Sequence, residues 1–441
     1  MPKAAIIPTP LRAERPLSRG ERRDALLALA DAIEREGSTL ADSMVATTLK
    51  ARRVADGDIS LAVRRLRAID ELLPQLENRE AAGTVAIVFP SNVGLANPAS
   101  TIGAAFLAGN RVHARFPSGL RDWGRRVERL FSDFVSDLSF DHGPAPDFLR
   151  SAILGPDVDV IMVFGDDSWA KDYEPLVRQT GKTFIFEGPG KDPFVVLPGA
   201  DIEKAAQDAV RGAYYNAGQA CTSPERFIVH ESLVNDFTKK VLDLTRLQRL
   251  GLPEDQRTTV GPIASTTAVA RIRDQLADAR EKGANVLCGG GTHRVVLRNA
   301  ITAAFVEPTV IADVTEDMTV VRDETFGPVI PIMTAGSVED ALRIANDSRY
   351  GLAASIYGGK TSGVDRLAAH HGPVFRNEIW IDHYGRHVHA PLGGRKASGW
   401  TWSSQGSDFV RREGLRRNID AFSRPLAVNP LPQPRIGTDH A

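Results

Sequence analysis

Between residues 18 and 80 apolar positions recur three and four apart, in RDALLALADAIEREGSTLADSM and again in SLAVRRLRAIDELLPQL. That period predicts Arg-rich amphipathic helices. After residue 80 the texture changes. GTVAIVF, NRVHARF, VDVIMVFG, KTFIFEG and PFVVL are short runs rich in Val, Ile and Phe, the signature of strands buried on both faces of a parallel sheet. Helical stretches at 98–108, 119–136 and 168–179 separate them, which argues for βαβ units and an α/β fold. A second alternating block follows: helix 201–216, strand RFIVH, helices 232–245 and 265–282, strand NVLC, and an irregular β segment ending in RDETFGPVIPIM. Helix 337–346 leads to strand AASIY, and helix 361–371 to strand EIWID. The chain closes on RPLAVNPLPQPRIGTDHA, a Pro-rich tail expected to be partly disordered.

Residues 81–110 contain no charge and are long enough to span a bilayer. Pro90, Asn92, Asn97, Pro98 and Ser100 sit in the middle, where they would leave polar groups unsatisfied in lipid. The stretch reads instead as a buried strand (84–89), a loop (90–98) and a helix, and no membrane association is expected. The 441 residues are 42% hydrophobic and 25% charged, enough for two or three lobes. Lys+Arg 54 against Asp+Glu 55 gives no electrostatic reason for a nucleic-acid partner. Two cysteines exclude a disulfide scaffold and point to a reducing, cytoplasmic setting. The N-terminus lacks the apolar core of a signal peptide.

No GxGxxG follows a strand, and Gly181-Lys182-Thr183 lacks the glycine a phosphate-binding loop needs five positions earlier, where Leu176 stands. His383, His387 and His389 beside Asp382 are dense for a chain with 10 histidines. A metal needs three or more ligands converging on one point, and the stretch reads as a loop lining a cleft, with no metal expected.

Cys221, in NAGQACTSPERF, follows a helical stretch and precedes an apolar strand. A lone cysteine is commonly a small buried hydrophobe. Here Gly218, Gln219 and Ala220 form a small or polar approach, and Thr222-Ser223-Pro224 opens a turn rich in donors. Cys288, in a strand running into glycines, reads as structural. A thiol attacking a carbonyl needs help with the thiolate, the oxyanion and the release of the acyl group. Glu187, in FEGPGKDPFVV, ends an apolar strand at a glycine turn, where a half-buried carboxylate serves as a general base or binds turn amides. Asn92, in FPSN, ends another strand, and its amide serves an oxyanion or caps a turn.

With these segments in order, the chain resembles the aldehyde dehydrogenase superfamily over roughly residues 20–420. The resemblance rests on FPSN with Gly109-Asn110, EGPGKDP, GQACTSPERF, RDETFGPV and PLGGRKASG, and on the 34 residues between Glu187 and Cys221. It implies a Rossmann-like cofactor domain beside an α/β catalytic domain, with the site in the cleft between them. Cys221 becomes the nucleophile, Asn92 with the Cys221 N–H the oxyanion hole, and Glu187 the base that hydrolyses a thioester. Glu324 and Phe326 match positions that hold the nicotinamide ribose. Residues 1–187 form the cofactor domain with its preceding helices, 188–403 the thiol domain and 404–441 a C-terminal arm.

Departures from the family pattern concern the cofactor and the subunit contact. Arg115 stands at the usual adenosine-ribose lysine, and Ser118 where NAD-preferring members often carry glutamate. Gly165-Asp166 replaces the usual Gly-Ser, placing a carboxylate where pyrophosphate is greeted. NADP is therefore expected at least as readily as NAD, with Arg111 and Arg121 near enough in sequence to assist. The hairpin used for subunit pairing is reduced, and a homodimer is expected. His383, Tyr384, Arg386, His387 and His389 precede PLGGRKASG and border the expected entrance for a small-molecule aldehyde, hinting at a polar or anionic substrate. Reduction of an acyl thioester or acyl phosphate on the same scaffold is a second reading, disfavoured by Glu187. A non-catalytic binding protein is a third, disfavoured by Asn92, Glu187 and Cys221 occurring together.

Overall fold

The computed structural model describes residues 15–426 apart from 264, 297–301 and 406–407. The N-terminal segment and the Pro-rich tail past residue 426 lie outside the described residues. Three helices open the chain, Arg19–Arg35, Gly37–Thr48 and Arg52–Arg67. The first starts at a capping box in which Ser18 accepts from the Glu21 N–H and Glu21 accepts from the Ser18 N–H. The leucines of its apolar stripe, Leu26 and Leu29, are fully buried.

Two seven-stranded sheets organise the rest. The first runs Leu138–Asp141, Arg111–Arg115, Thr84–Val88, Val160–Phe164, Thr183–Glu187, all parallel. Gly399–Gln405 and Asp408–Arg412 then extend it antiparallel. Among the five parallel strands Thr84–Val88 comes first in the chain and lies at the centre, so strand order reverses on either side of it. A crevice opens at the carboxyl ends of the strands at such a switch point. The second sheet runs Val374–Arg376, Ala354–Tyr357, Asp192–Val196, Pro224–His230, Val329–Ala335, Thr309–Ala312, Asn285–Cys288, with only the last strand antiparallel. Strands such as Thr84–Val88 and Asp192–Val196 are buried at every residue, including the polar Thr84 and Asp192 that begin them; the apolar residues that follow carry the sequence signal.

The alternation of strands and helices matches the sequence reading closely, with three differences. A strand Leu138–Asp141 and a helix Ala145–Leu154 lie between the expected elements. EIWID is not a strand: Asn377 takes a left-handed φ of 54° and the chain turns into a helix, Trp380–Arg386. Residues 399–403, placed with the thiol domain from the sequence, belong to a strand of the first sheet, hydrogen-bonded to Thr183–Glu187.

The uncharged stretch 81–110 folds as strand Thr84–Val88 and helix Ala96–Ala108. That helix lacks a cap of its own at Leu95. Asp58, from the helix Arg52–Arg67, supplies one: its Oδ1 accepts from the Leu95 N–H at 2.5 Å and the Ala96 N–H at 2.8 Å. Gly109 ends the helix at φ +100°. Asn110 then ties Gly83, Ala105 and Phe422 together through its side-chain amide. The Asp58 contacts hold the end of the loop that carries Asn92. Among the described residues, no helix is long and apolar enough to cross a membrane.

Candidate active site

A cavity of about 950 Å³ lies where the carboxyl ends of the first sheet face the thiol turn of the second domain. Asn92, Glu187 and Cys221 all line it, together with Arg115, Gly165, Glu324, Phe326 and Tyr384. Three segments 95 and 34 residues apart in the chain thus converge on one space.

The thiol turn is strained. Helix Ile202–Tyr214 ends, and Asn216, Ala217 and Gly218 follow in left-handed conformations at φ 51°, 55° and 75°. Asn and Gly tolerate that region, but Ala does not, and such residues cost about 1–3 kcal/mol each unless the surroundings impose them. A Cβ at Gly218 would sit 2.2 Å from the Gly327 carbonyl oxygen, and one at Gly190 2.1 Å from that of Cys221. Glycine is therefore the residue that lets the 188–190 turn reach the thiol turn. Asn92 Nδ2 donates to the Gln219 carbonyl at 3.1 Å, and Asn216 Nδ2 donates to the same oxygen at 3.0 Å. One N–H of the Asn92 amide is spent in docking it two residues before the thiol.

Cys221 is a free, exposed cysteine that lines the cavity. Desolvation, with the carboxylates Glu324, Asp192 and Glu187 adding to it, pushes the thiol up to about 12. It is protonated at neutral pH, so nucleophilic attack requires removal of a proton. Glu187 ends its strand buried, at 6% exposure. Burial pushes its carboxyl above the usual range, and an ion pair with Arg416 opposes the shift. Arg416 holds Oε1, while Oε2 is buried with no hydrogen-bond partner among the described residues.

Behind the site lies a polar network that the sequence did not single out. Buried Lys191 donates to Glu225 and Thr325, both at 2.8 Å. The Glu225 carboxylate accepts from the Thr325 and Phe326 N–H groups, both at 2.7 Å. This pins the 324–326 turn, including Phe326 at φ 52°. Half-buried Glu324 accepts from the Gly190 N–H at 3.2 Å, and burial with the neighbouring Glu225 charge raises it to about 8. Arg271 lines the same wall and its buried Nε has no partner among the described residues.

On the first sheet, Arg115 is buried and donates through Nε and Nη2 to the Gly143 carbonyl at 3.1 and 2.9 Å. Nη2 also reaches the Ser118 hydroxyl at 3.3 Å. Ser118 is not part of the cavity wall, which its neighbours Gly119 and Leu120 supply instead. Arg111 stands at the opposite end of a five-residue strand from Arg115, about 13 Å away at strand rise, and gives no help there. Gly165 lines the cavity, and Asp166 caps the following helix by accepting from the Ser168 N–H at 2.8 Å. That cap occupies an amide that would otherwise greet a phosphate.

The histidine stretch needs correction. Residues 380–386 form a helix, so His383 and His387 are not on an entrance loop and neither lines the cavity. His383 packs against Phe375 and contacts Glu378, and the His387 ring sits 5.2 Å from that of His383. Tyr384 and His389 do line the cavity. His389 Nε2 lies 2.8 Å from the Arg65 carbonyl oxygen, and Asp382 pairs with Arg211. Among the described residues, no group of three His, Cys, Asp or Glu side chains could hold a metal. Arg416 and Arg65 were missed from the sequence because nothing near them in the chain marks their role, and Lys191 and Glu225, though inside EGPGKDP and GQACTSPERF, were missed because their ion pair joins residues 34 apart.

The sequence model of the aldehyde dehydrogenase family matches residues 12–412. A Mycolicibacterium smegmatis protein provisionally named an NADP(+) succinate-semialdehyde dehydrogenase is 30% identical over 442 residues, covering 95% of this chain and 83% of that one. Betaine aldehyde dehydrogenase of Brucella melitensis is 35% identical over 230 residues, 51% of this chain and 46% of that one. Among solved structures, an NADP-dependent enzyme of E. coli superposes with a TM-score of 0.82 at 26% identity, covering 93% of this chain and 85% of that one. A convergent thiol, carboxylate and amide in a cleft between two α/β units, on a chain that this family's model spans almost end to end, place the protein in the aldehyde dehydrogenase family, enzymes that oxidise aldehydes with NAD or NADP.

Proposed function

We propose that the protein oxidises an aldehyde to its carboxylic acid through a covalent intermediate on Cys221. The observation that carries this reading is the placement of Cys221, Glu187 and Asn92 on one cavity wall system. Cys221 Sγ adds to the aldehyde carbon as its proton passes to Glu187, giving a thiohemiacetal. The remaining Asn92 N–H and the Cys221 backbone N–H hold the developing oxyanion. A nicotinamide, when bound, supplies the hydride acceptor that converts this adduct to a thioester. Once Glu187 has released the first proton to solvent it takes another from water as the water attacks the thioester carbon, and it returns that proton to the departing Cys221 thiolate, so that the acid leaves and the thiol is restored. The partnerless Oε2 of Glu187 is the atom that would hold that water.

The residues present fit a nicotinamide nucleotide in part. Glu324, Phe326 and the orphaned Nε of Arg271 face the cavity where its ribose and phosphates would be held, and Arg115 lines the edge toward a ribose phosphate, with the Ser118 hydroxyl bonded to it from outside the wall. Asp166 is the misfit, a carboxylate where pyrophosphate would approach. NADP accepted at least as well as NAD, with weak binding of either, is the resulting reading. The names of the relatives do not choose a substrate, since betaine aldehyde is a cation and succinate semialdehyde an anion. Two free cysteines suit a cytoplasmic enzyme, and a homodimer is read from the shortened pairing segment. Light scattering of the purified protein tests that point.

One observation favours the reverse chemistry, reduction of an acyl thioester. A carboxylate clamped by Arg416 is a weaker base, and a reductase needs no water-activating base. A screen of aldehydes with both nucleotides, and of acyl thioesters with the reduced forms, separates the two readings. Aldehyde-dependent formation of reduced nicotinamide supports oxidation. Turnover only with acyl thioesters would replace it.

A further inference from the structure

Two cations on the cavity wall are used neither by the chemistry nor by the ion pairs around it. Lys50 is 7% exposed, lines the cavity, and its ammonium has no hydrogen-bond or ion-pair partner among the described residues. Arg65 also lines the cavity. Its Nη1 donates to the Ala96 carbonyl at 2.8 Å, its buried Nε has no partner among the described residues, and no carboxylate is paired with it. Burial disfavours the charge of both, and Asp58 is the carboxylate whose field opposes that shift in each. Asp58 is one charge against two, and its Oδ1 is committed to the Leu95 and Ala96 amides. Held this way, the pair leaves a net positive potential in a desolvated pocket. An uncompensated buried cation is costly, and a bound anion removes that cost.

The position of the pair tells which ligand would meet it. His389 Nε2 lies 2.8 Å from the Arg65 carbonyl oxygen, and His389, Tyr384 and Arg65 all line the cavity. Tyr215 and Trp380 meet edge-to-face and line the same space. Arg65 therefore meets the cavity beside the Tyr384–His389 segment, the side that the family resemblance gives to the aldehyde.

We propose that the substrate is an aldehyde bearing a carboxylate at its far end, with Arg65 as the residue that reads the carboxylate and Lys50 reinforcing its field. This rests on the reading of Cys221 as the nucleophile. Arg65 presents the planar fork suited to a carboxylate, and Lys50 acts as a point charge. Alanine and methionine at 65 keep the helix but remove the fork.

The test compares ω-oxo carboxylic acids of four to six carbons with n-alkanals of the same length, on the full-length protein with NADP. Wild type is expected to favour the oxo acids in kcat/KM. In Arg65→Met the ratio of oxo acid to alkanal falls by about 10- to 100-fold, mostly through KM, the scale for one charge-assisted hydrogen bond. Arg65→Lys recovers part of the loss. A wild type that handles alkanals as well as oxo acids overturns the proposal. So does an Arg65→Met variant that loses both substrates in equal measure, or one that weakens NADP binding and leaves the ratio unchanged, which would give the pair to the nucleotide. A second measurement needs no turnover: succinate and glutarate should slow iodoacetamide labelling of Cys221 in wild type and not in Arg65→Met. If no aldehyde is oxidised while the dicarboxylates still protect, the proposed reaction fails and the anion site stands. If alkanals are oxidised and the dicarboxylates do not protect, the site fails and the reaction stands.

Discussion

Replacing Arg416 by Met removes the cation that faces Glu187 while keeping its volume. The two side chains are 15% and 6% exposed, so solvent screens the pair little. Breaking a buried ion pair by deleting one partner costs about 3–5 kcal/mol, because a charge is left without compensation. Glu187 escapes part of that by taking a proton. Its folded carboxyl already sits above the usual range through burial, and losing Arg416 raises it further. A raised carboxyl supports the fold fully below the unfolded value of about 4.3, and that support is lost as pH rises through the folded value. The penalty of Arg416→Met is therefore smallest in mild acid and largest above neutrality. Glu187→Gln strands Arg416 instead and carries a similar cost. The double variant replaces the pair by two neutral groups, which is often close to neutral in stability. Urea unfolding of wild type, both singles and the double, at pH 5 and pH 8, reads the cycle. An interaction energy within about 0.5 kcal/mol of zero, as for independent sites, would refute the claim that Arg416 sustains Glu187. Catalysis adds an independent reading: the rising limb of deacylation against pH moves to higher pH in Arg416→Met, since the carboxyl must still ionise to accept a proton from water.

Cys221→Ala should abolish aldehyde oxidation by more than ~10³-fold with the unfolding midpoint little changed, while Cys288→Ala behaves as a mild packing change; turnover near wild type in the former removes Cys221 from the mechanism. Glu187→Gln should give a single-turnover burst of reduced nicotinamide followed by a slow steady state, and a burst that falls together with the steady state would assign Glu187 to thiol activation alone. Gly218→Ala forces a Cβ to 2.2 Å from the Gly327 oxygen at φ +75°, so a stability loss of at least about 1–3 kcal/mol and a displaced thiol are expected; calorimetry with thiol labelling checks both. Ser118→Glu brings a carboxylate beside Arg115 and should penalise NADP by about 1–3 kcal/mol while sparing NAD; equal effects on both nucleotides, by titration, would mean that the ribose phosphate lies elsewhere.

Much of the frame was legible because local pattern and final environment agree. The run TVAIV is apolar after Thr84 and uniformly buried, and Cys221 stands between a helix and a strand in both descriptions. Leu138–Asp141 was missed because four residues alternating between buried and half-buried make too short a signal. EIWID has the Ile and Trp content of a strand, but Asn377 bends the backbone before it, and Ile379 is buried at the start of the helix. The side chains that condition the chemistry were invisible for a different cause. Arg416 is 229 residues from Glu187, and Lys191 is 134 from Thr325. No window of sequence contains both partners, and an arginine in LRRNID looks like any solvated cation.

The route of the chain explains why Arg416 can reach Glu187 at all. After completing the second sheet at Val374–Arg376, the backbone crosses back and adds Gly399–Gln405 along Thr183–Glu187, pairing Gly399 with Glu187 itself. The hairpin to Asp408–Arg412 then returns the chain to the cavity, where Leu392 and Arg416 exchange backbone hydrogen bonds of 3.0 and 2.9 Å. Arg416 is thus held by the segment that begins PLGGRKASG, and Glu187 is held from both sides by the same excursion. Ser398 makes the same point from within that excursion: its hydroxyl donates to the Pro189 carbonyl, and its own carbonyl accepts from the Gly188 N–H at 2.9 Å. A carboxylate carried on the terminal residue of a strand would otherwise depend on a glycine turn for its position. Here the C-terminal strands of the first sheet supply the rigidity that the glycines of EGPG forgo in order to approach Cys221.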